Sequence, residues 1–142
     1  MIERLTQVLA VLFMAAIAIV YFVAAGPVQP ACLPFKLITA ANTNPTSIAT
    51  GHRQVVLAEV TSNNTAFFLK FYDLARAPNV GSDTPVQTYG IPASVSGTTS
   101  IGPFGNFPMD FLSGLAFGTS ANVGDSDSGN IAANAVINVC WL

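Results

Sequence analysis

The sequence predicts an all-β protein, a single antiparallel β-sandwich or jelly-roll-like domain, preceded by one N-terminal α-helix of the transmembrane type. An uninterrupted apolar run at residues 8–25 indicates the helix. After it, short stretches rich in β-branched and aromatic residues alternate with Asn, Asp, Gly and Pro, a spacing typical of sandwiches and jelly rolls. The 142-residue chain has room for one compact domain beyond the apolar run.

The apolar run approaches the roughly 20 residues that a helix needs to cross a bilayer. Tyr21 and Phe22 lie near its C-terminal end, where aromatic side chains favour the membrane interface. We therefore expect residues 1–25 to form a hydrophobic anchor helix, with membrane lipid around residues 8–25.

A cleaved secretory signal is the main alternative to an anchor. Val23-Ala24-Ala25 before Gly26 is an acceptable small-residue cleavage site, although the apolar run is longer than a typical signal core. A helix buried within a protein assembly is a third possibility. A lipoprotein is disfavoured, since Gln29-Pro30-Ala31 before Cys32 is a poor lipidation signal.

Residues 26–34 contain three prolines and are predicted to form a stiff, extended linker. The sandwich domain is expected to span residues 35–142, with residues 93–108 as a long loop or irregular edge. The predicted strands are Phe35–Thr39, Arg53–Thr61, Ala66–Leu74, Val86–Ile91, Leu112–Phe117 and Ile131–Trp141.

Alternation assigns faces to two of these strands, because successive side chains of a strand point to opposite sides. Phe67, Leu69 and Phe71 form the better core candidate. Phe68, Lys70 and Tyr72 share the other face, which mixes two aromatics with a charge and suits a contact or edge surface. In the last strand, Cys140 is predicted to point away from the face that carries Trp141.

The two cysteines, Cys32 and Cys140, lie at the two ends of the globular part. Neither has metal-type spacing or a neighbouring histidine. In an oxidising compartment, one disulfide joining them is the simplest proposal. Two unpaired cysteines, or pairing between chains, are the alternatives.

Composition and motifs give no indication of an enzyme, a cofactor or a metal site. Charged residues make up 8% of the chain, against roughly 25% in ordinary domains, and this surface is not basic enough for nucleic acid. Asp125-Ser126-Asp127 resembles the start of a calcium loop, but no later carboxylate follows, so a polar turn is expected. His52, the only histidine, has no partnered nucleophile in the sequence.

One series of motifs is more specific. The segments are Phe68-Leu-Lys-Phe-Tyr-Asp73, Ala75-Arg-Ala-Pro-Asn-Val-Gly81, Asp83-Thr-Pro-Val86, Ile91-Pro-Ala93, Gly114-Leu-Ala-Phe-Gly-Thr119, Asp125-Ser-Asp127 and Ala135–Trp141. Their order resembles a small β-domain of tailed-phage and prophage structural proteins, over roughly residues 53–142. The N-terminal hydrophobic helix and the cysteine pair depart from the usual pattern of that family.

The resemblance implies a non-enzymatic virion structural protein: a membrane-anchored minor capsid, decoration or spike-base component. Its expected partners are like subunits, a major capsid protein or other virion proteins, and its expected location is a virion associated with a membrane, or the host membrane before assembly. The candidate contact residues are Phe68, Tyr72, Pro78, Val80 and Asp83. The alternative is a bacterial cell-surface or periplasmic binding module with a signal anchor or a cleaved signal peptide.

Overall fold

The computed structural model describes residues 31–62, 64–93, 97–102 and 108–142. In these residues the chain forms nine β-strands. They are β1 (Leu33–Ile38), β2 (Thr46–Thr50), β3 (Arg53–Thr61), β4 (Phe67–Asp73), β5 (Gln87–Ile91), β6 (Thr98–Ile101), β7 (Met109–Phe111), β8 (Gly114–Ser120) and β9 (Val136–Trp141).

The predicted anchor helix, residues 1–25, lies outside the described residues, as does most of the predicted linker. None of the residues that the structure describes belongs to a helix with the length and apolarity needed to cross a bilayer.

The strands form two antiparallel sheets, which confirms the predicted all-β fold with two layers. Sheet A has the order β1-β9-β3-β6, with β7 also paired to β3, and sheet B has the order β2-β8-β4-β5. The pairing is nested along the chain: β1 pairs with β9, β2 with β8, β3 with β6 and β4 with β5. The chain is therefore arranged as one long hairpin, whose two arms are folded over into two layers.

The hydrophobic core lies between the two sheets. Phe67, Leu69 and Phe71 of β4 belong to it, as predicted, and each is at most 2% exposed. Aromatic side chains join the layers: the Phe71 and Phe111 rings lie 6.1 Å apart between centroids, and the Phe35 and Phe117 rings 5.9 Å. Such edge-to-face and tilted pairs are more favourable than face-to-face stacking.

The strand predictions were right where the hydrophobic pattern was strong. The bounds predicted for β3 are confirmed, those for β4 differ by one residue at each end, and those for β5 differ by one residue at the start. Three strands were missed, β2, β6 and β7; β6 replaces part of the loop predicted over residues 93–108, and β7 begins directly after it. The linker prediction extended too far, since Leu33 and Pro34 already pair with β9.

The last strand is shorter than predicted because residues 131–135 leave the sheet. Asn134 has a left-handed backbone, with φ of 70°, and the Ala135 N–H donates to Thr39 Oγ1 at 3.0 Å. Ile131 and Ala135 still contribute to the core, so their apolar character reflects burial without strand pairing.

A β-bulge in β3 determines which of its side chains point to the outer face of sheet A. The register with β9 shifts between Val55 and Leu57, so Val55 faces the core and Leu57 faces outward, although the two residues are two apart. A bulge inserts one unpaired residue and reverses the alternation beyond it.

The predicted disulfide is confirmed. Cys32 and Cys140 are bonded, with 5.4 Å between their Cα atoms. Cys140 lies opposite Pro34 and Leu57 on the outer face of sheet A, whereas Trp141 packs toward the core. The bond therefore joins the start of β1 to the centre of sheet A.

We predict that reducing this disulfide lowers the free energy of unfolding. It closes a loop with a sequence separation of 108 residues, for which the chain-entropy model gives an upper value of about 4.7 kcal/mol. Urea unfolding with and without reductant measures the loss, and Cys32→Ser should reproduce it. Free thiols in the native protein, or equal stability in both conditions, would contradict the prediction.

Candidate functional site

The predicted contact residues converge on the outer side of sheet B, but most of them are not exposed. Tyr72 is fully buried, Val80 is 8% exposed and Pro78 is buried, whereas Phe68 and Asp83 are half-buried. The prediction that Tyr72, Pro78 and Val80 form an open contact surface is therefore wrong. Two loops of the same chain cover this face of the sheet.

The first covering segment is the loop at 74–86, between β4 and β5. The Arg76 guanidinium donates two hydrogen bonds to the Asp83 carboxylate, of 2.7 and 2.8 Å, and the Asn79 N–H donates a third at 2.6 Å. The Arg76 guanidinium, together with the Asn79 N–H, lowers the pKa of Asp83 to about 2. Asp83 therefore connects Arg76 and Asn79 within the loop at 74–86. This internal role accounts for an Asp at this position without a ligand.

The second covering segment is the loop at 121–135, between β8 and β9. Asp127 accepts a 2.8 Å hydrogen bond from the Asn122 N–H and a 3.2 Å bond from the Asn122 side chain. The Asn122 donors lower the pKa of Asp127. As predicted, this acidic segment forms a turn, and among the described residues no group of three His, Cys, Asp or Glu side chains is placed to hold a metal.

Lys70 connects this turn to the sheet. Its side chain is fully buried on the outer face of β4. The ammonium donates to the Gly124 carbonyl at 2.6 Å and to the Asp127 carbonyl at 3.3 Å. Desolvation lowers the pKa of Lys70, against the opposing effect of the Asp127 and Asp125 carboxylates. The Lys70 ammonium therefore binds the carbonyls of the acidic turn that resembles the start of a calcium loop.

The two loops approach the sheet and each other so closely that glycine is required. A Cβ atom on Gly118 of β8 would overlap Val80 Cγ2. Gly81, with φ of +94°, faces the other loop, and a Cβ there would lie 2.9 Å from the Ser128 Cβ. The loop at 74–86 and residues 121–129 of the second loop, called here the loop cover, therefore pack as a third layer over sheet B.

Tyr72 lies beneath the loop cover with its hydroxyl unsatisfied. Among the described residues, the Tyr72 hydroxyl has no hydrogen-bond partner. Burial, with smaller contributions from the Asp83 and Asp125 carboxylates, raises the pKa of Tyr72 to about 12. The hydroxyl is therefore a cost to folding, while the ring fills space under the loops.

The sequence reasoning did not anticipate the role of Lys70. The available signal was a lysine between aromatic residues on a strand, followed later by an acidic, glycine-containing turn. That combination matches a buried cation with carbonyl acceptors, because buried charges need partners. The separation of 54 residues between Lys70 and Gly124 hid the connection.

The structure also pairs the histidine. His52 Nε2 and Asp110 Oδ1 are 2.6 Å apart, with side-chain exposures of 58% and 51%. The contact joins the turn before β3 to β7, since His52 directly precedes β3 and Asp110 lies in β7.

Arg53 lies beside this pair and stacks on Trp141. The guanidinium carbon is 5.2 Å from the ring centroid, a cation–π contact at the end of sheet A. It covers part of the Trp141 ring and gives the end of the sheet a structural contact.

Comparisons of the chain with protein-family models, with curated proteins and with solved structures found no match.

We predict that Lys70→Met destabilises the domain. The variant keeps most of the aliphatic volume but removes the ammonium that donates to the Gly124 and Asp127 carbonyls, and a hydrogen bond to a charged group contributes about 1.5–3 kcal/mol. Denaturant unfolding measures the loss. Lys36→Met, on an exposed lysine of β1, is the matched control and should change stability by less than about 0.5 kcal/mol. Equal effects of the two substitutions would contradict the structural role of Lys70.

Tyr72→Phe is predicted to leave stability unchanged or to raise it by about 1 kcal/mol, because it removes an unsatisfied buried hydroxyl and keeps the ring. In the parent protein, stability should fall as the pH rises from about 10 toward about 12, since the folded pKa is raised. Tyr72→Phe should weaken that decline. Tyr89→Phe, which loses a hydroxyl contact to Met109 Sδ of 3.3 Å, is the control for hydroxyl removal below pH ~10, because burial also raises the pKa of Tyr89. A Tyr72→Phe loss above about 1 kcal/mol would show that the hydroxyl has a partner.

Proposed function

We propose that this protein is a non-enzymatic structural component of a virion. In this proposal the apolar segment 8–25 attaches it to a membrane, and the β-domain makes contacts with copies of itself or with a major capsid protein. In this role the domain acts by binding other subunits, so its functional features are contact surfaces.

The nested strand pairing carries the proposal. First-with-last and second-with-second-last pairing, together with the orders β1-β9-β3-β6 and β2-β8-β4-β5, is what a jelly roll with one additional short strand would have. We infer that the domain is a jelly roll, an architecture used by viral capsid proteins and also by lectins and cupins. The fold alone does not select among these uses.

The placement of the phage-like motifs supports the capsid use. The strand 68–73, the loop segments 75–81 and 83–86, the strand 114–119 and the acidic turn 125–127 belong to sheet B and its loop cover, whereas the motif Ala135–Trp141 contains β9 of sheet A. Their characteristic residues make contacts within the domain. Lys70 donates to the carbonyls of the acidic turn, Asp83 pairs with Arg76 in its own loop, and Gly118 leaves space for the Val80 side chain. The resemblance therefore concerns how the domain is built, as expected for a scaffold reused in virion proteins.

The low charge content supports an assembly role as well. Charged residues form 8% of the chain, and charged residues are depleted at the cores of protein interfaces, where burying them would require desolvation. The bacterial cell-surface or periplasmic binding module remains the competing function, and the same experiment distinguishes it.

The test is the location of the chain in fractionated cultures of its source. Density-gradient fractions are digested and quantified by mass spectrometry, with the major capsid protein and an envelope protein as markers. We expect the chain to follow the capsid marker at a constant ratio through the gradient. A chain that follows the envelope marker, in fractions free of particles, would favour the binding module and overturn the proposal.

A further inference from the structure

We propose that the outer face of sheet A is a two-fold interface between two copies of this chain. The proposal rests on the proposed function and deepens it, because it names the surface and the partner. Sheet B is excluded as the contact face by its own loop cover, whereas sheet A presents side chains of β1, β9 and β3 to solvent.

The outer face of sheet A is organised in three rows across the strands. The middle row is polar and contains Lys36, Asn138, Glu59 and Ser100, which are register partners on neighbouring strands. One flanking row contains Pro34, Cys140 and Leu57, and the other contains Ile38, Val136 and Thr61. A polar row between two largely apolar rows is a pattern that a second copy can match.

The charges of the middle row are complementary under a two-fold rotation. Lys36 on β1 and Glu59 on β3 lie on either side of Asn138 on β9, roughly 10 Å apart at the usual strand spacing. Neither is paired with a described residue. A two-fold axis parallel to β9 would bring Lys36 of one copy over Glu59 of the other, twice, with the two Asn138 amides meeting at the axis.

The flanking rows provide the apolar part of the contact. Ile38 is 60% exposed, and Leu57, Val136 and Cys140 are half-buried in the face. The same rotation places each apolar row against its counterpart, since the axis runs along the strands and crosses every row at β9. Isologous contacts of this type close after two copies.

The size of the face predicts a weak dimer. Three rows about 7 Å apart on four strands about 4.8 Å apart cover roughly 300–400 Å² per copy, less than the roughly 800 Å² per partner of a standard interface. We therefore expect dissociation constants in the micromolar range, which suits a contact that is strengthened by crowding many copies on a particle.

Charge reversal on the full chain tests the geometry. Lys36→Glu and Glu59→Lys should each weaken the dimer by at least ~10-fold, because each brings like charges together twice. The double variant should restore the affinity to within about threefold of the parent. Sedimentation equilibrium in one detergent measures the association, and residues 1–30 are the same in every variant, so association through that segment is a constant background.

A matched apolar pair gives a second readout. Ile38→Asp, at 60% exposure, should abolish the measurable dimer, while Val123→Asp, at 62% exposure on the loop cover, should leave it unchanged. Circular dichroism checks that each variant is folded. Unchanged association in both single charge variants, or a folded double variant that is not restored, would overturn the interface.

The outcomes also separate this inference from the proposed function. If the chain is found in particles but both charge reversals leave its self-association unchanged, the virion role is supported and the sheet A interface is rejected. If the chain dimerises as described but follows the envelope marker in the gradient, the interface is supported and the virion role is rejected.

Discussion

A buried ammonium group determines how one side of this domain is organised. Lys70 lies on the outer face of a strand whose inner face already fills the core, so its charge must find acceptors above the sheet. It finds them in the Gly124 and Asp127 carbonyls of the loop between β8 and β9. That loop in turn packs against the loop between β4 and β5, where Gly81 approaches Ser128. The outer face of sheet B is thereby covered around Lys70, and in our proposal sheet A makes the contacts with other copies.

The sequence predicted the parts of the fold that depend on strong local patterns. The β3 bounds followed from a β-prone stretch between turn residues. The inward side chains of β4 followed from alternation, since a half-buried strand repeats every two residues. β2, β6 and β7 were missed because they are short and rich in Ser, Thr or polar residues, and only pairing with a neighbour makes them strands. The shortened β9 was overestimated because Ile131 and Ala135 are buried without a pairing partner.

The candidate site was harder to predict, because it depends on contacts between distant parts of the chain. Alternation correctly separated Phe68, Lys70 and Tyr72 from the core face. It could not show that a loop 54 residues away would cover them, so a covered face was interpreted as an open one. The disulfide was predictable, since two cysteines at the ends of one compact domain have few other arrangements. The outer face of sheet A required the β3 bulge and the strand order, which no local pattern reveals.

The central claim is that sheet A is the contact face and that the loop cover is a permanent part of the fold. Hydroxyl-radical footprinting of the full chain at low and high concentration tests this most directly, by following side chains of similar starting exposure. The account predicts that Ile38, 60% exposed on the outer face of sheet A, becomes protected as copies associate, while Val86 and Val123, 54% and 62% exposed on the loop cover, do not change. Protection of Val86 and Val123, with Ile38 unchanged, would contradict it.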